Sequence, residues 1–100
     1  MNITQTREGS KLTIAIEGSI TAVTVTELDA LLGDKLRDVD ELTFDLSELQ
    51  YTSSAGIRSL LGAQQYMDDK DGKMIVRGAN ELVMKVFTDT GFDKIFDLRD

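Results

Sequence analysis

The residues best suited to chemistry lie in one short run, Thr52-Ser53-Ser54, three hydroxyls followed by Ala55-Gly56-Ile57-Arg58. A serine where a helix begins sits beside unpaired backbone N–H groups and the positive end of the helix dipole, so it tolerates added negative charge. Ser53 and Ser54 stand where such a helix would begin. The same pattern also suits a plain N-cap, which contributes about 1 kcal/mol. Other chemistries are restricted by composition. The chain has no histidine and no cysteine, which removes the imidazole base, the serine–histidine triad, the thiolate metal site and the disulfide framework. A serine nucleophile would need a lysine base, and no Ser-x-x-Lys spacing occurs near Ser54.

The remaining polar clusters point to solvated surface. Asp68, Asp69 and Asp71 precede Gly72, but a calcium loop in that frame would put Met67 at the first ligand position and Gly78 at the twelfth. No metal site is expected. Asp45 and Glu48 have no partner acid across a cleft, so glycosidase-like work is unsupported. Gly9, Gly33, Gly56 and Gly78 form neither a GxxxxGK loop nor a GxGxxG run, so no nucleotide cofactor is expected and any ATP must come from a partner. A net charge of −7 without a basic cluster disfavours nucleic acid and anionic membranes.

The elements that must position the hydroxyl run can be read from periodicity. Ile3 to Arg7 alternates weakly, Glu8-Gly9-Ser10 has turn chemistry, and Leu12, Ile14 and Ile16 repeat at period two, which predicts a β-hairpin closed by Gly18. Leu28, Leu31, Leu32 and Leu36 predict a first helix to about Arg37, with Thr24 or Thr26 as N-cap. Leu42, Phe44 and Leu46 alternate as a strand, and a short loop is expected from there to Ser53. Ile57, Leu60, Leu61 and Met67 predict a second helix from Ser54, stopped at Gly72. Met74-Ile75-Val76 is a compact buried strand. Leu82, Val83, Val86 and Phe87 predict a third helix, with Asn80 as N-cap, Gly91 as its left-handed end and Phe92 touching Phe87. Ile95 to Leu98 would be a last strand. This order predicts an α/β fold, residues 1–100 as a single domain, with a mixed, mostly parallel sheet of four to five strands, an N-terminal antiparallel hairpin and three helices. A composition 41% hydrophobic and 29% charged suits an independently folding domain. The expected location is cytoplasmic, because no signal-peptide pattern and no membrane-length apolar run is present.

The stretch Thr52-Ser53-Ser54-Ala55-Gly56-Ile57-Arg58-Ser59-Leu60-Leu61, after Leu42-Thr43-Phe44-Asp45-Leu46, resembles the signature of the STAS domain family, in particular of anti-sigma-factor antagonists. Ile16-Glu17-Gly18-Ser19-Ile20-Thr21 is similar to that family's approach to its first helix. The segment from Val86 to Phe96 is similar to its closing helix and glycine turn. The resemblance implies a non-enzymatic, partner-switching protein of bacterial signalling. It implies that Ser54 is the phosphoacceptor, with Ser53 as second choice, and that an anti-sigma factor serine kinase and a metal-dependent serine phosphatase are the partners. The implied partner-binding residues are Gly18, Thr21, Thr24, Thr52, Ser53, Ser54, Gly56 and Arg58. Two positions depart from the family pattern, since Ser53 and Thr21 stand where acids are usual. An alternative is a STAS-like scaffold subunit of a stress-signalling or lipid-transport complex that runs no phosphorylation cycle.

Overall fold

A computed structural model describes all 100 residues. The chain begins with β1 (Asn2–Glu8) and β2 (Lys11–Ile20), joined through Gly9 at φ 64°. The antiparallel register runs from Asn2↔Glu17 to Glu8↔Lys11, so the predicted hairpin is present. There follow α1 (Val25–Lys35), β3 (Glu41–Asp45), β4 (Leu49–Thr52), α2 (Ser54–Asp69), β5 (Lys73–Arg77), α3 (Glu81–Thr90), a 3-10 turn (Phe92–Lys94) and β6 (Asp97–Arg99). The main sheet order is β1-β2-β3-β5-β6, antiparallel only between β1 and β2.

Period-two alternation places matching apolar rows across the parallel strands. Leu12, Leu42 and Met74 form one row and Ile14, Phe44 and Val76 the next. These side chains share one core with Leu28 of α1, with Ile57, Leu60, Ala63 and Met67 of α2, and with Val83 and Phe87 of α3. Each fully buried apolar side chain of this kind contributes about 1.5 to 3 kcal/mol. The helical apolar periods, not local propensity, therefore fix how α2 lies on the sheet.

The segment read as a short loop before Ser53 is a sixth strand. β3 occupies the edge of β2 from Lys11 to Ala15, and β4 takes over the same edge from Gly18 to Ile20. The change occurs at Gly18, whose φ of 95° accompanies a register shift and whose N–H donates to the Glu48 carbonyl at 3.1 Å. Gly18 therefore marks an irregularity inside β2 rather than the strand's end.

The helix ends also refine the sequence expectations. α1 is led in by a reciprocal box. The Thr21 hydroxyl accepts from the Val23 and Thr24 N–H groups, and the Thr24 hydroxyl accepts from the Thr21 N–H at 2.8 Å. Thr24 stands at the N-cap position of α1 as expected, but its hydroxyl turns back and makes no forward cap bond, and the Thr26 hydroxyl donates to the Val23 carbonyl. At the end of α2 the left-handed residue is Asp71 (φ 59°), and the Gly72 N–H closes onto the Met67 carbonyl at 2.7 Å. A Cβ at Gly72 would stand 2.7 Å from Met67 Cε, the movable end of a side chain, and 3.1 Å from the Asp40 carbonyl oxygen. Gly91 is the left-handed end of α3, as expected. Phe96 packs edge-on to Phe87 at 5.5 Å and against Phe92 at 5.8 Å, so it joins the two rings.

Asn80 caps α3 by accepting from the Val83 N–H at 2.8 Å. It also donates to the carbonyls of Leu49 at 3.0 Å and Gln50 at 3.3 Å, so one side chain pins α3 to β4. Asn80→Ala is expected to cost about 1 kcal/mol, a fall of roughly 4 to 8 °C in melting temperature by calorimetry. An unchanged melting temperature would show that water replaces all three bonds.

Candidate functional site

The hydroxyl run is held by β4 and the start of α2. Pairing of Ile20 with Thr52 brings the C-terminal ends of β2 and β4 together, and the Ser53 N–H donates to the Ile20 carbonyl at 2.8 Å. The chain then turns directly into α2 with Ser53 at the N-cap position (φ −82°, ψ 174°). The Ser53 carbonyl accepts from the N–H groups of Gly56 at 3.1 Å and Ile57 at 3.3 Å. Ser54 is the first helical residue and is exposed.

The two candidate acceptors differ in access. Ser53 does not cap the helix with its side chain; its Oγ is buried and has no hydrogen-bond partner. Of the two serines, Ser54 is the one that offers its side chain to an enzyme. No acid stands in the first turn of α2, so the dipole end remains electropositive.

The residues expected around Ser54 separate into a surface set and a supporting set. Thr21 and Arg58 are exposed, and Gly18 and Thr24 are half-buried. Thr52 is 1% exposed, its hydroxyl donating to the Ser53 carbonyl at 3.1 Å. Gly56 is buried so tightly that a Cβ would lie 2.2 Å from Thr52 Oγ and 2.8 Å from Ile20 Cγ2. Thr52 and Gly56 therefore shape the site from beneath and offer no surface to a partner.

Two apolar residues that the sequence reading did not single out by number are also exposed. Val23, 81% exposed, projects from the turn that Thr21 and Thr24 cap, and Tyr51 is exposed on β4 next to Thr52. The available signal for Val23 was an apolar residue inside a threonine-rich turn, off the helical period of α1.

Beyond Arg58 the site continues into a groove of about 670 Å³ between α1 and α2. Val25, Leu32 and Leu36 line one side and Ala55, Gly62 and Ala63 the other. The Ser59 hydroxyl donates across it to Asp29. Below β4, the Asp45 carboxyl is held under its ordinary range by hydrogen bonds from the Ser47 hydroxyl and backbone N–H, with burial opposing and the Arg77 charge assisting. The backbone bond, 3.0 Å long, fixes the turn that delivers the chain into β4.

A family model described as "Mlab, STAS domain" matches residues 3–100. The anti-sigma-B factor antagonist of Listeria monocytogenes serovar 1/2a is 24% identical over 94 residues, covering 93% of this chain and 82% of that protein. The anti-sigma factor antagonist SpoIIAA in its unphosphorylated form is similar in structure, with a TM-score of 0.85 at 16% identity over 99% of this chain and 88% of that one. The Bacillus cell fate determinant SpoIIAA in its phosphorylated form gives a TM-score of 0.80 at 16% identity over 99% of this chain and 91% of that one. These structural likenesses speak to the fold.

Proposed function

The chain belongs to the STAS domain family, and we propose that within it the protein is a non-enzymatic anti-sigma-factor antagonist switched by phosphorylation at Ser54. The observation that carries this reading is the placement of Ser54, exposed at the first position of α2 while the neighbouring Ser53 Oγ is buried. The likeness to an anti-sigma-B factor antagonist and to SpoIIAA supports it.

In this reading the unphosphorylated protein binds an anti-sigma factor that is also a serine kinase, through Thr21, Val23, Ser54 and Arg58. Transfer occurs inside that complex. Ser54 Oγ attacks the γ-phosphorus of the kinase-bound ATP, the Oγ–P bond forms as the bond to the β,γ-bridging oxygen breaks, and ADP leaves. The hydroxyl proton passes to a base on the kinase, since no acid stands in the first turn of α2 beside Ser54. The phosphate adds about −1.5 to −2 charges at the interface and the complex separates. A metal-dependent serine phosphatase restores the hydroxyl by hydrolysis, water taking the phosphoryl group and inorganic phosphate leaving.

Incubation with the cognate kinase and ATP, followed by peptide mass spectrometry, is expected to place phosphate on Ser54 and to find none on the Ser54→Ala chain, which still binds the kinase. Phosphate solely at other residues would overturn the site assignment.

A second reading draws on Ser53 and Thr21, which stand where the family usually has acids. It makes the chain a scaffold subunit of a stress-signalling or lipid-transport complex, docking through the same surface without a phosphorylation cycle. Co-purification with a transporter ATPase, with neither serine phosphorylated, would favour it.

A further inference from the structure

From Ser54 to Met67, α2 carries one charged side chain, Arg58, in a chain with a net charge of −7. Arg58 lies four residues after Ser54, so the two share a helix face one turn apart. Helical Cα–Cβ bonds tilt toward the N-terminus, so a long side chain at position 58 reaches back over the turn that holds Ser54. Arg58 is exposed, and none of the chain's four ion pairs includes it. Of the two acids that line the same groove, Asp29 accepts from Ser59 and Asp34 pairs with Lys35. The neighbouring positions hold no acid to compete: Ser53 precedes Ser54, and Thr21 is occupied with its own turn.

We propose that Arg58 is the built-in counter-ion of a phosphate on Ser54, its guanidinium binding two phosphoryl oxygens and clamping them to the first turn of α2. The inference rests on Ser54 as the acceptor and assigns its regulation. Guanidinium–phosphate pairs are short, charge-assisted and two-pronged, and an ammonium cannot reproduce that fork. Phosphorylation then changes the partner surface twice, by adding an anion at position 54 and by withdrawing the cation at position 58. The neutral Ser53 and Thr21 leave the phosphate facing one cation with no carboxylate at either position.

The experiment uses the full chain with phosphoserine installed at position 54 during translation, together with its Arg58→Gln and Arg58→Lys forms. In a phosphorus NMR titration, the second phosphate ionisation of the parent chain is expected about half to one pH unit below that of Arg58→Gln, with Arg58→Lys between them. Phosphate is also expected to raise the melting temperature of the parent chain by roughly 2 to 6 °C and that of Arg58→Gln by less than half as much. Without phosphate, Arg58→Gln should melt within about 2 °C of the parent, as an exposed substitution does. Equal titration midpoints in the parent and Arg58→Gln chains, or equal melting shifts, would overturn the clamp. Because no kinase is involved, that result would leave the acceptor assignment standing. A kinase that ignores Ser54 would instead sink the acceptor assignment alone.

Discussion

Ser54→Asp is expected to weaken binding to the cognate anti-sigma factor roughly 30- to 150-fold while leaving the fold at least as stable as the parent. The first half follows from the interface. A coupling of about 2 to 3 kcal/mol is typical when a charge must be desolvated or pressed against a partner's acidic groups, and it converts to that change in affinity. The second half follows from the helix. Ser54 is exposed at the first position of α2, where no acid stands in the first turn, so a carboxylate is favoured by about 0.3 to 1 kcal/mol. Titration calorimetry against the partner, paired with thermal melts, separates the two. Parent-like affinity would refute the charge mechanism, and a lowered melting temperature would mean that the lost affinity reflects damage to α2. Ser54→Ala serves as the control, expected to bind as the parent does. Aspartate carries one charge where phosphate carries nearly two, so the natural modification should act more strongly.

Two glycines of the same helix should respond to alanine with opposite signs. At Gly56 a Cβ would meet Thr52 Oγ at 2.2 Å and Ile20 Cγ2 at 2.8 Å, both rooted in buried strand residues that cannot swing aside. Overpacking of this kind costs about 1 to 3 kcal/mol, and the helix propensity of alanine returns at most about 1. A net loss of about 1 to 2 kcal/mol is expected, lowering the melting temperature by roughly 4 to 16 °C. Gly62 lies on the exposed groove side of α2, and a methyl group added there would meet nothing within 4 Å. Gly62→Ala therefore keeps the propensity gain and should raise the melting temperature by a few degrees. If Gly56→Ala melted as high as Gly62→Ala, the close seat of α2 on Thr52 and Ile20 would be wrong. The functional consequence is direct, because the contact that admits only glycine at 56 also sets where Ser54 emerges.

Features that rest on a few consecutive residues were legible before folding was considered. The Gly9 turn, the alternation of Leu12, Ile14 and Ile16, the Asn80 cap and the Gly91 end each depend on neighbouring residues and the backbone angles they permit. Helix ends that involve choice were less legible. Thr21, Thr24 and Thr26 are alike in sequence, and which hydroxyl caps α1 depends on the direction in which β2 delivers the chain. Asp71 takes the left-handed position at the end of α2, and Gly72 sits against the Asp40 carbonyl and the Met67 side chain.

Residue types and short-range periods were enough to establish the order of the helices, the hydroxyl at the start of α2 and the absence of any imidazole or thiol chemistry. That Leu49–Thr52 is a strand emerged from long-range pairing, since Gln50 and Tyr51 are both exposed and show no alternation until the edge of β2 beyond Gly18 supplies their hydrogen bonds. Packing likewise turned Ser53 inward and Ser54 outward, and placed Thr52 and Gly56 beneath the site. Burial is a property of what packs against a residue from distant parts of the chain. Neighbouring hydroxyls of the same chemistry can therefore be assigned to core or surface only after β2, β4 and α2 have met.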